Sequence, residues 1–160
     1  MAGSGSDDGD KFLVRGALLK CSCGSHPRRL NLMKDHGVTV DLKDGYDKGH
    51  PFVHEMDCVP GPTGNIDYFG VCNMLPKNSP TAISLQAVNE KGELTGGVVQ
   101  GGKCVPAFVP QKWSKTKEDV RIGGVNGKKM VTMESCLMCP LGGIITPVTT
   151  GMEYKGEQDG

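Results

Sequence analysis

Residues 135 to 143 read SCLMCPLGG, so two thiols, Cys136 and Cys139, stand three positions apart and are followed by a proline and a double glycine. A Cys-x-x-Cys clip can act as a redox couple, half of a metal site or a disulfide. The other thiols also sit against turn-forming residues, in CSCGS, MDCVPG, FGVCN and GGKCVP. Turns at one end of a β-structure cluster in space, so cysteines far apart in sequence can converge there. Tetrahedral zinc takes four ligands, with sulfur about 2.3 Å from the ion. Cys136 and Cys139 supply a clip of suitable spacing, Cys72 and Cys104 are single contributors, and Cys21 is a fifth candidate. The competing reading makes Cys21, Cys58 and Cys72 small buried hydrophobes. A thioredoxin-like role for the clip would need a helix after it, and PLGGIITPVTTG does not suit one.

Other groupings say less. Of the four histidines, His26, His36, His50 and His54, the pair in HPFVH has an i, i+4 spacing. It lacks the glutamate of H-E-x-x-H, and Pro51 opposes a helix. Each histidine is therefore read as a surface or turn residue. GVVQGGKC nearly spells a phosphate-binding loop, but a cysteine replaces the final hydroxyl and prolines follow. No Ser-His-Asp grouping or close carboxylate pair stands out, and no enzymatic activity is expected.

The elements that must position these residues read mainly as short strands. KFLVRGALLKCSCGS alternates so that Leu19, Cys21 and Cys23 share a face. GVTVDLKDG alternates and stops at Asp44-Gly45. DVRIGGVNGKKMVTM suggests a hairpin turning at Asn126-Gly127, and GGIITPVTTG suggests another strand. One stretch departs from this pattern. NSPTAISLQAVNEKGE offers Ser79 as a helix cap, Pro80 at the first helical position and Gly92 as a stop, which predicts a helical insertion over about 80–91. Double glycines at 96–97, 101–102, 123–124 and 142–143 hint at a repeat of irregular spacing. Residues 1–11 and 152–160 read as flexible tails around one β domain, 12–151.

Composition agrees with a small, turn-rich fold. Leu, Ile, Val and Phe number 35 in 160 residues, while Gly and Pro number 34. So little large apolar material would gain from a metal staple. The start, MAGSGSDDGDKF, has neither the basic nor the apolar part of a signal peptide, so synthesis in a reducing cytoplasm is expected. There, thiols are metal-bound or free more often than paired. Eighteen basic residues balance eighteen acidic ones without a basic stripe, so nucleic acid is not an expected partner.

Taken in order, GALLKCSCGSHPRRLNL, NIDYFGVCN, GGKCVPAFVPQKW and VRIGGVNGKKMVTMESCLMCPLGGIITPV resemble the PAAR-like domains of contractile injection systems, meaning type VI secretion systems and phage-tail-like particles. The resemblance runs from Gly16 to Gly151. It implies a small conical β-structure that caps and sharpens a trimeric β-helical spike of the VgrG type, for membrane puncture. It also implies a structural metal, usually zinc. The family's ligand pattern falls on Cys21, Cys72, Cys104 and Cys139, with Cys136 as an extra candidate. PAAR proteins proper use mainly histidines with a cysteine, and their Pro-Ala-Ala-Arg motif is replaced here by VNGKKMVT, so no role is carried over for it. The further expectations are one monomer on a trimer, near-threefold surroundings at the base, transient contact with a target membrane, effector cargo, and export from the cytoplasm as part of a particle. Two alternatives stand beside this: a cytoplasmic zinc-binding interaction module, and a thiol redox protein using Cys136 and Cys139.

Overall fold

A computed structural model describes residues 11–41, 49–108, 110–123 and 127–153. They form ten short strands: β1 Leu18–Cys21, β2 Arg28–Arg29, β3 Thr39–Val40, β4 His50–Pro51, β5 Ala82–Val88, β6 Leu94–Gly102, β7 Lys117–Ile122, β8 Lys128–Met130, β9 Leu137–Met138 and β10 Ile144–Pro147. The fold is mainly β, as expected. One four-stranded antiparallel sheet runs in the order β2-β1-β10-β9, and the other strands pair two by two. In β1 the alternation holds, since Leu19 and Cys21 are buried and Lys20 between them is exposed.

The organising feature is a closed ring of backbone hydrogen bonds. The Leu13 amide donates to the Val131 carbonyl at 3.0 Å, Val131 to Val53 at 3.2 Å, and Val53 back to Leu13 at 3.1 Å. All three residues are fully buried. A second set circulates the other way: Arg15 donates to Pro51, Glu55 to Lys129 and Met133 to Lys11. Each segment then turns tightly, with the amides of Ala17, Asp57 and Ser135 donating to the carbonyls of Val14, His54 and Thr132. FLVRGA, FVHEMD and MVTMES are thus three copies of one backbone unit around a pseudo-threefold axis. The double glycines, read in the sequence as hints of a repeat, all lie outside these three units.

The units also share a side-chain device. The turn's first amide needs an acceptor, because an unpaired buried N–H is costly. Asp57 Oδ2 accepts it from His54 at 2.8 Å, and Ser135 Oγ from Thr132 at 3.0 Å. Where Ala17 has no acceptor, the Thr150 carbonyl takes the Val14 amide at 2.9 Å.

The helix expected over about 80–91 is corrected: among the described residues there is no helix, and this stretch is β5, paired with β6. Exposure alternates along β5, with Ile83 and Leu85 half-buried and Ser84 and Gln86 exposed. Gly92, read as a helix stop, lies in the hairpin turn at φ +88°, where the Asn89 side chain accepts the Lys91 and Glu93 amides. Asparagine and glycine end helices and turn hairpins by the same backbone freedom, and here the period-2 pattern decides. The hairpin is tied down by His26 Nε2, which donates to the Gln86 carbonyl at 2.8 Å, and by Lys20–Glu90 at 3.1 Å. The expected hairpin near residue 126 exists as β7–β8. Its turn residue Asn126 and the Asp44-Gly45 stop lie outside the described residues.

Candidate metal centre

Cys21, Cys72 and Cys139 each open a tight turn, closed by the amides of Gly24, Leu75 and Gly142 at 2.9–3.1 Å. In the first and third units the cysteine lies eight positions after the ring residue, Leu13 to Cys21 and Val131 to Cys139. Cys104 enters from elsewhere. Its amide donates to the Gly70 carbonyl and its carbonyl accepts the Phe69 amide, both at 2.8 Å, which seats it beside the Cys72 turn.

These four cysteines line one cavity of about 30 Å³ together with Cys23, Leu75, Lys103, Val105, Leu141 and Gly143. That volume suits a single ion or water. Glycine is required in its wall. A Cβ on Gly143 would come within 2.7 Å of Cys21 Sγ; one on Gly24, outside the wall, would come within 2.6 Å of Phe69 Cβ and 3.3 Å of Cys104 Sγ. The Cys104 thiol has those of Cys21 and Cys72 as its polar neighbours. It stabilises the Cys21 thiolate and, with help from nearby amides and against the effect of burial, lowers its pKa to about 6. The same interaction, together with burial and the neighbouring sulfurs, pushes Cys104 far up. Cys21 thus loses its proton readily, whereas Cys104 gives up its own only to a bound cation. Lys103, over the Tyr68 ring at 4.3 Å, places positive charge beside an otherwise anionic site.

The structure does not bring Cys136 to this cavity. Cys136 bridges with Ser114, and its sulfur lies 3.2 Å from Ser114 Oγ. The two thiols of the clip therefore face different surroundings. Cys23, not singled out as a ligand in the sequence, lines the cavity instead. Cys58 is buried apart, and burial first, then Asp57, pushes its pKa up to about 12, as for an inert structural thiol.

The chain belongs to the DUF4280 family. The family described as "Domain of unknown function (DUF4280)" matches residues 13–151, which takes in the ring, the three cysteine turns and Cys104. No curated protein and no solved structure matches the chain.

Within this DUF4280 fold, a second group could hold a metal ion: His36, His54 and Asp57, whose ligand atoms all lie within 4.8 Å of one another. Among the described residues it is the set that meets that distance, whereas the sulfurs run as a chain, Cys21–Cys104–Cys72. Both histidines had been read as surface or turn residues. His26 instead clasps β5, and His50 lies in β4 opposite Val40. GVVQGGKC falls largely within β6, which removes the strand-loop-helix context that a phosphate loop needs.

Proposed function

We propose that this protein is a PAAR-like tip: a non-enzymatic, zinc-stabilised cap on the trimeric β-helical spike of a contractile injection system, assembled in the cytoplasm and exported with the particle. The closed ring through Leu13, Val53 and Val131 carries this reading. A single chain offers no symmetry of its own to a trimer, yet this one repeats the same backbone unit three times about an axis. It can therefore meet three identical partner surfaces in three similar ways. The cysteine turns support the second half of the reading. Cys21, Cys72 and Cys139 open equivalent turns and Cys104 is the fourth donor, a set that fits the four-thiolate chemistry of structural zinc. Bound zinc would cross-link segments separated by dozens of residues, worth roughly 10–16 kcal/mol in small peptide modules, against ~5–15 kcal/mol for a whole domain's stability.

The test is co-expression with trimeric β-helical spike proteins, followed by native mass measurement and elemental analysis of the complex. One chain per spike trimer, with zinc, is expected. No complex, or three chains per trimer, would overturn the reading.

A further inference from the structure

The antiparallel pairing of β3 with β4 matches Thr39 to Pro51 and Val40 to His50, and the Phe52 amide donates to the Val38 carbonyl at 3.0 Å. Two residues further along that register, His36 stands opposite His54. Their rings stack with centroids 3.8 Å apart and planes 18° from parallel. The tight turn of the second ring unit then brings Asp57 round beneath them. Asp57 Oδ2 lies 2.7 Å from His36 Nε2 and 3.5 Å from His54 Nδ1. The three side chains are largely buried, at 24%, 15% and 8% exposure.

The fold alone accounts for Asp57, whose carboxylate takes the His54 amide as Ser135 takes that of Thr132. It does not account for the imidazoles. Val14 and Thr132 occupy the position of His54 in the other two units, so the ring needs no histidine there. Nor does β3–β4 pairing need one ring nitrogen hydrogen-bonded to the Asp57 carboxylate oxygen and a second within 3.5 Å of it. Burial, against the pull of the Asp57 charge, lowers the His54 pKa, which suits that ring as a neutral donor.

We propose that His36, His54 and Asp57 form a second metal site, which binds a first-row divalent cation such as zinc through two imidazole nitrogens and one carboxylate oxygen, with water completing the shell. Nitrogen and oxygen ligands at about 2.0–2.2 Å from tetrahedral zinc lie roughly 3.3 Å from one another, and the separations of Asp57 Oδ2 from the two nitrogens fall on either side of that figure; the stacked rings must tilt out of parallel to aim both lone pairs at one ion. As the ion takes the place of the hydrogen that His36 Nε2 donates to Asp57, the ring gives up that proton and takes one up at Nδ1, so it binds as the neutral tautomer with its lone pair on Nε2 and no net proton is released. His54 Nδ1 accepts the Met56 amide at 3.1 Å; the ion takes that lone pair, and the amide, on an exposed residue, turns to water. Borderline nitrogen donors with a single carboxylate favour zinc, cobalt, nickel or copper over magnesium or calcium. Bound there, the ion fastens the loop before β3 to the second unit of the ring. This proposal is independent of the thiol cavity, with which it shares no residue.

Cobalt(II) separates the two sites in one titration of the full chain. Thiolate ligands give a near-ultraviolet charge-transfer band that nitrogen and oxygen ligands do not, and both give visible ligand-field bands. The wild type, H36Q and D57N are titrated with cobalt(II), and zinc is counted after dialysis against zinc chloride. Expected is one ion more in the wild type than in either variant, with the thiolate band unchanged. The affinity lost should exceed the ~10–100-fold that follows loss of a ligand's hydrogen-bond partner. D57N retains an oxygen for the His54 amide, and Trp113 fluorescence checks that each variant is folded. Equal ion counts and affinities in wild type and folded H36Q overturn the proposal. Failure of the thiol reading would show separately, as visible bands without the thiolate band.

Discussion

Gly143→Ala tests the thiol site without touching a ligand. The added Cβ would lie 2.7 Å from Cys21 Sγ and 3.7 Å from the Cβ atoms of Cys139 and Cys23. Non-bonded atoms settle at about 3.5–4.0 Å, so the sulfur must retreat by about 1 Å. A metal site tolerates about 0.2 Å. A cysteine side chain has one torsion with which to retreat, and using it changes the place of the sulfur beside Cys104. The cost to the metal-free fold is that of local overpacking, about 1–3 kcal/mol. Zinc affinity, read by competition with a chromophoric chelator, should fall by at least the ~10-fold that a disturbed ligand setting costs. Gly96→Ala in β6 is the control. Gly96 does not line the cavity and sits at φ +88° with nothing within 4 Å of its missing Cβ, so alanine there strains the backbone by about 1–3 kcal/mol and leaves zinc binding alone. Wild-type zinc affinity in G143A, or equal weakening in G96A, would refute the cage.

Three further outcomes are expected. C136S should keep the zinc content of the wild type while C72S or C104S loses it by elemental analysis, and C58A should cost about 1 kcal/mol of stability with zinc retained. Burial raises the Glu55 pKa, but the Lys129 amide at 2.8 Å and Lys112 outweigh it and hold the carboxyl below its usual range. Its folded pKa lies under the unfolded value, so its stabilisation is present above about pH 4.3 and fades as pH falls through the folded value. Urea midpoints for E55Q should therefore lose about 1 kcal/mol near neutrality and fall less steeply in acid than those of the wild type. W113F removes the indole N–H that the Asp57 carbonyl accepts at 3.0 Å, leaving a buried acceptor unmet. It should cost about 1–3 kcal/mol, measured by far-ultraviolet circular dichroism in urea.

Period-2 patterning made β1, β10 and the β7–β8 hairpin legible, and the family resemblance, rather than the turn residues beside every thiol, picked out Cys21, Cys72, Cys104 and Cys139, which line one cavity. The misread helix shows where such reading stops. Ser-Pro at one end and Asn-x-x-Gly at the other fit both a capped helix and a hairpin arm, and only cross-strand pairing with Val98–Gly102 decides. Cys136 misled because Cys-x-x-Cys spacing suggests a shared site. A strand sends residues an odd number apart to opposite faces, and Leu137–Met138 between the two thiols is a strand. The histidine pair was hidden for a related reason: His36 and His54 meet through a register, and register is not written in either residue.

The ring was hidden most thoroughly, and its chemistry says why. FLVRGA, FVHEMD and MVTMES share almost no residue identities, because the repeated bonds belong to the backbone. Side chains are asked for only two things: an apolar residue on the axis, met by Leu13, Val53 and Val131, and an acceptor for the turn's first amide. The acceptor can be Asp57 or Ser135, or a borrowed carbonyl where Ala17 cannot supply one. Three units under so loose a demand can diverge while the axis survives. The second unit shows what that freedom permits, since the position filled by Val14 and Thr132 elsewhere carries His54 there. A chain with few large apolar residues can thus keep threefold geometry in its backbone and leave its side chains free to hold metal.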